Sequence, residues 1–144
     1  MHISDILRVK GTHVTTVQQT NTIASVVRIL AEKRLGAVVV EDRWAKMVGI
    51  FSERDLVGAL ANRGAGALGL EVRELMTTTV ITCTSNDRVD AVMGKMTMNR
   101  IRHLPVIDDG RLAGIVSIGD LVHSRLDEKE LEAGVLLDIT RMRH

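Results

Sequence analysis

Aromatic residues are almost missing from this chain, which has one Phe, one Trp and no Tyr. A surface that stacks nucleic-acid bases on aromatic rings is therefore excluded, and any core must be aliphatic. Cysteine is equally scarce. Cys83 stands alone, which rules out an intrachain disulfide framework and a Cys-rich metal site. Neither sign of charge dominates. A formal net charge of +1 supplies no field that draws the protein to nucleic acid or to an anionic membrane. No run approaches the roughly twenty apolar residues needed to span a bilayer. The opening MHISDILRVKG carries an acid and lacks the apolar stretch of a secretory signal. These absences predict a cytoplasmic protein without membrane contact.

What the chain does have is repetition. VGIFSERDLV at Val48–Val57 and AGIVSIGDLV at Ala113–Val122 agree at six of ten positions and lie 65 residues apart. Such self-similarity sets the architecture before any local feature does. The 144 residues suit one domain of ordinary size. Each half is near the size at which a lone core is marginal, so the halves are expected to share one core. The predicted boundaries are a first repeat over 1–64, a linker over 65–71, a second repeat over 72–126 and a helical tail over 127–144.

Both halves follow one plan. Ile3–Leu7 and Val72–Met76 each read as a short helical turn. The β-branched runs Val14–Val17 and Val80–Cys83 read as strands. Helical spacing follows at Ile23, Val26, Val27 and Leu30, and at Val89, Val92, Met93 and Met96. Asn21 or Thr22, and Asn86 or Asp87, are suited to cap those helices. The strands Gly36–Val40 and Met47–Phe51, and His103–Ile107 and Leu112–Val116, are close enough to form hairpins. A last helix begins near Glu53 and near Ile118. Each half is thus β-α-β-β-α, a fold of α/β (α+β) class. After Asp127 an apolar stripe of Leu131, Val135, Leu136 and Ile139 predicts another helix.

The repeated Ser-x-x-Asp supports two readings. In one, Ser52-x-x-Asp55 and Ser117-x-x-Asp120 are capping boxes, the Ser capping the third helical amide and the Asp reaching back. In the other, the helix start holds an anion and the carboxylate takes a ribose diol, as an acid does in dinucleotide folds. Gly49 and Gly114 would let a ligand or another backbone approach closely. Capping alone does not require the matching Gly-apolar-apolar before the Ser or Asp-Leu-Val after it.

With RIRHLPVID at Arg100–Asp108, these motifs make the chain resemble a CBS-domain pair, the regulatory module named after cystathionine β-synthase. The resemblance covers roughly Ile3 to Arg125. It implies two βαββα repeats packed with pseudo-twofold symmetry and two clefts that bind AMP, ADP, ATP or NAD. The implied nucleotide-binding positions are Ser52, Asp55, Ser117, Asp120, Arg102 and His103, with Thr16, Ala37, Val80, Ile81, Thr82 and Pro105. Arg102 and His103 match positions that face ligand phosphates. Arg34, Gly36 and Ala37 take the corresponding places in the first half, so the clefts are expected to be unequal. The resemblance further implies a homodimer, and the regulatory reading adds a regulated partner protein that the residues do not identify.

An enzyme is disfavoured, because no paired carboxylates, Ser-His-Asp order or metal set accompanies the motif. His2, His13, His123 and His144 lack ligand spacing. The remaining alternatives to a nucleotide sensor are a nucleic-acid-binding module using the RIRH cluster and a purely structural interaction module.

Overall fold

The computed structural model describes residues 1–142, the side chains of 134–142 excepted. The chain runs α1 (Ile3–Lys10), β1 (Thr16–Gln18), α2 (Ile23–Lys33), β2 (Ala37–Glu41), β3 (Met47–Ser52) and α3 (Glu53–Arg63). Two short 3₁₀ turns, Gly64–Gly69 and Val72–Glu74, join the halves. Then come α4 (Val89–Asn99), β4 (His103–Asp108), β5 (Arg111–Ser117) and α5 (Ile118–Met142). The segment expected as a separate tail continues α5 without a break. Leu131 is exposed; the side chains of Val135, Leu136 and Ile139 lie outside the described residues.

The amphipathic spacing places the helices as expected. Ile23, Val26 and Leu30 of α2, and Val89, Val92 and Met96 of α4, are buried. Thr22 caps α2 by accepting the Ser25 amide at 3.2 Å. Neither Asn86 nor Asp87 caps α4. Its N-cap is Arg88, and the Asp87 carboxylate instead accepts the Thr84 amide at 2.9 Å. In the hairpin between β4 and β5, Asp109 and Gly110 both have positive φ, the backbone that tight two-residue turns require.

The two sheets differ. In the first, β1 pairs parallel with β2, and β2 antiparallel with β3. In the second, only β4 and β5 form regular strands. The expected strand at Val80–Cys83 is reduced to a single parallel bridge between Cys83 and Val106. Pro105 accounts for the loss. Its counterpart in the first sheet, Val39, donates its amide to Thr15 at 3.3 Å, and proline has no amide to donate.

The expectation of one shared core is also corrected. Among the described residues there are two apolar clusters, and each is completed by the leading segment of the other half. Ile3, Ile6 and Leu7 of α1 pack with Val92, Met96, Leu104 and Leu121. Val72 packs with Ile23, Val26, Val38 and Phe51. Backbone bonds secure both exchanges, Ile3 donating to Asp87 at 2.9 Å and Val72 to Asn21 at 2.8 Å. Each leading segment thus lies against the opposite repeat's last strand, and this brings the sites together.

Candidate functional site between the repeats

Strand β3 delivers Ser52 and the first turn of α3 delivers Asp55. The Ser52 hydroxyl accepts the Asp55 amide at 3.3 Å, and Asp55 Oδ2 accepts the Ser52 amide at 2.9 Å. Ser117 and Asp120 repeat this at 3.1 and 2.8 Å. Both copies therefore do form capping boxes. The helix-start amides are largely engaged within the protein, since Glu53 also donates to the Gly36 carbonyl at 2.9 Å. They are not a ready-made anion cradle.

The first capping box opens onto a cleft of about 850 Å³. Ser52, Arg54 and Asp55 wall it from the first repeat, and Arg100, Arg102 and His103 from the second. Val80 and Ile81 also line it, in the irregular stretch that Pro105 keeps out of the sheet. The other Asp55 oxygen, Oδ1, accepts the Thr77 hydroxyl at 3.1 Å. Thr77 is set there by a two-bond bridge to Ile50. Arg54 reaches across the mouth to donate to the Arg100 carbonyl at 2.5 Å. Arg100 ends α4 in the left-handed conformation (φ 53°), so the chain turns sharply and Arg102 and His103 enter β4 at the cleft.

His103 stands where the repeats meet. A Cβ on Gly36 would lie 2.7 Å from its imidazole Cε1 and Nε2, so any larger residue there would force the ring to shift. Burial first, then the Lys10 cation, lowers the His103 pKa against the opposing pull of Glu53 and Asp120. The ring is thereby held neutral at pH 7.

Around the second motif the arrangement is different. Lys10, at the end of α1, donates to Asp120 Oδ2 at 2.6 Å and to the Ile115 carbonyl at 2.8 Å. Burial raises the Asp120 pKa, but the Lys10 ammonium and the Ser117 amide outweigh it and the net shift is downward.

The remaining expected positions lie apart from the first cleft's lining. Thr16 is exposed on β1, while Ala37 and Pro105 are buried in β2 and β4. The Thr82 carbonyl accepts the Lys95 ammonium at 2.9 Å. Contributors that went unread in the sequence include Thr77, Arg54 and Lys10. Thr77 carries a visible signal in the hydroxyl run Thr77–Thr79 before Val80. Lys10 has none, because its partner is 110 residues away. Among the described residues no three His, Cys, Asp or Glu side chains group as a metal site, and no helix is long and apolar enough to cross a membrane.

Two interlocked βαββα repeats, the second with its leading strand reduced to a bridge, and a cleft between them lined by both charged and apolar side chains define a tandem-repeat α/β module. The chain belongs to the CBS-domain family, whose model, described as CBS domain, matches residues 3–62 and 72–127. The fold is similar to a crystal structure of a CBS-domain-containing protein from Agrobacterium tumefaciens. That chain is 44% identical with a TM-score of 0.85, over 86% of this chain and 92% of that one. It is also similar to the CBS-domain pair of protein MJ0100, solved with 5′-methylthioadenosine and S-adenosyl-L-methionine. The identity there is 30% and the TM-score 0.76, over 90% of this chain and 98% of that one. A mitochondrial CBS-domain-containing protein of Arabidopsis thaliana, CBSX3, is 33% identical over 90% of this chain and 67% of its own length.

Proposed function

We propose that this pair is a non-catalytic regulatory module that binds an adenosine nucleotide in the cleft between its repeats. The observation that carries the reading is the content of that cleft. A half-buried carboxylate, Asp55, comes from one repeat, and the guanidinium side chains of Arg100 and Arg102 come from the other. Asp55 accepts the ribose diol, and Arg102 and its neighbours hold phosphate, for which a planar guanidinium is suited. With the helix-start amides engaged, the guanidinium groups are the stronger anion donors. A volume of about 850 Å³ suits a small-molecule ligand of nucleotide size. The MJ0100 pair, solved with two adenosine compounds, supports the same ligand class here.

Binding across the cleft links the two repeats, so occupancy shifts the population of pair or dimer shapes and with it the affinity for a regulated partner. The dimer forms through α3 and α5, where Val57, Leu60, Val122 and Leu126 stay exposed.

The test is a thermal-shift panel with millimolar AMP, ADP, ATP and NAD, with a random oligonucleotide alongside. A ligand at a hundred times its Kd stabilises the folded state by about 2.7 kcal/mol, so a clear rise in Tm is expected. No rise with any adenosine compound would overturn the reading. A rise with the oligonucleotide alone would favour a nucleic-acid module.

A further inference from the structure

Among the described residues lining the cleft, one side chain can change charge near neutral pH. The other ionisable groups there are Glu53, Arg54, Asp55, Arg100 and Arg102, whose ordinary pKa values lie far from 7. His103 is therefore the group through which protons can act on the site.

Strand register fixes its place. His103 pairs with Ser117 as Ala37 pairs with Ser52. The Arg102 carbonyl accepts the Ile118 amide at 2.8 Å, as the Gly36 carbonyl accepts the Glu53 amide at 2.9 Å. Gly36 and Ala37 are thus the first-repeat counterparts of Arg102 and His103, and they bring neither a cation nor an imidazole. The missing side chain of Gly36 leaves the ring its space, because a Cβ there would come within 2.7 Å of Cε1 and Nε2. Each chain consequently carries one such ring, lodged where the repeats meet.

Charges face the ring from four elements. Lys10 of α1 and Arg102 of β4 oppose a proton on it, whereas Glu53 of α3 and Asp120 of α5 favour one. Gly36, just before β2, and Ser117 of β5 bring no charge. Arg54, Asp55 and Arg100 complete the charges along the wall. Burial and the two cations prevail, and the ring is neutral at pH 7. Phosphate held by Arg102 would reverse that balance. It brings up to about two negative charges into a partly buried site, where charges interact more strongly than in water.

We propose that His103 couples nucleotide binding to proton uptake: phosphate entering the cleft draws a proton from solvent onto the ring, so the pair holds its nucleotide more tightly as pH falls. The proposal rests on the nucleotide reading above and adds acidity as a second input to the same site. A pKa higher in the complex than in the free chain makes affinity rise as pH drops through the complex's value, and level off below the free one. Each unit of difference is worth about tenfold in affinity.

Proton NMR titration of the imidazole Cε1–H resonances between pH 8 and 5, with and without saturating AMP, tests it. The His103 resonance is the one absent from His103→Asn, with His103→Gln as the second variant should the first not fold. In the parent its midpoint is expected to rise by about one unit or more on AMP binding. Calorimetry should then show AMP affinity gaining about tenfold more between pH 8 and 5 in the parent than in either folded variant. That comparison cancels the protonation of the AMP phosphate itself, which titrates near pH ~6. A midpoint that stays or falls in the complex would overturn proton coupling while leaving the nucleotide reading standing. No AMP binding by the parent would overturn both.

Discussion

At the scale of single residues, the proposed nucleotide recognition is divided between Asp55 and Arg102. Asp55→Ala removes a charged acceptor, and a hydrogen bond to such a group contributes about 1.5–3 kcal/mol. AMP affinity in the variant is expected to fall roughly 10- to 100-fold, read by calorimetry with the fold checked by its melting curve. The same substitution also removes one arm of a capping box. A variant that unfolds would therefore assign Asp55 mainly to the helix end. Arg102→Ala should weaken AMP far more than adenosine, because only AMP offers an anion. An equal loss for both would place Arg102 away from the phosphate. His103 carries a pH dependence. Its pKa in the folded chain lies below the ordinary 6.5, so the unfolded chain binds the extra proton first as pH falls. The His103 contribution is thus fully favourable above that range and is lost as pH falls through 6.5 toward its folded value. Tm should decline more steeply between pH 7 and 5 in the parent than in His103→Asn, and parallel curves would remove His103 from the account.

At the scale of elements, glycines report which helices and strands are pressed together. A Cβ on Gly49 of β3 would lie 2.8 Å from the Thr77 carbonyl as well as 2.7 Å from Met76. Backbone cannot rotate aside, so Gly49→Ala should destabilise by about 1–3 kcal/mol and disturb the Thr77 bridge beside the cleft. Gly94, exposed in α4, has nothing within 4 Å of its virtual Cβ. Gly94→Ala should raise stability by up to about 1 kcal/mol, the helix-propensity difference. Urea denaturation of the two variants tests the contrast, and similar changes of one sign would refute it. Pro105 acts at the same scale. By withholding one amide it leaves Val80 and Ile81 outside the sheet, along the cleft wall.

At the scale of the whole molecule, the exchange of leading segments is expected to make the two repeats one cooperative unit. Ile3, fully buried, belongs by sequence to the first repeat and by packing to the second core. Ile3→Ala should cost about 2–5 kcal/mol, the range for truncating a buried aliphatic side chain. Hydrogen exchange should then rise at Val92, Leu104 and Val116, in the opposite repeat. A loss confined to the first repeat would contradict the interlock. Assembly belongs to this scale too. Ile6, Leu7 and Leu121 are consumed inside the monomer, while Val57 (66% exposed) and Leu60 of α3 and Val122 and Leu126 of α5 stay exposed and form the proposed assembly face. An isologous dimer through that face should appear as twice the chain mass in light scattering, and Val57→Asp with Val122→Asp should return it to the chain mass with the fold intact.

Local order was legible in the sequence because local forces produce it. The duplication, the amphipathic spacing of α2 and α4, both hairpins and the repeated Ser-x-x-Asp all follow from periodicity, turn chemistry and capping, which act over a few residues. Pro105 was equally visible, but its effect was not, because the missing amide matters only once a third strand is laid beside it. Which core Ile3 and Val72 complete depended on how the halves cross. The partners of the two carboxylates depended on it as well. Thr77 reaches Asp55 across 22 residues and Lys10 reaches Asp120 across 110, and no spacing rule spans such distances. The sequence by itself determined that two like motifs exist. Tertiary structure decided that one faces a cleft beside a neutral hydroxyl and the other is held by an ammonium, because only packing brings charges from distant segments within bonding distance.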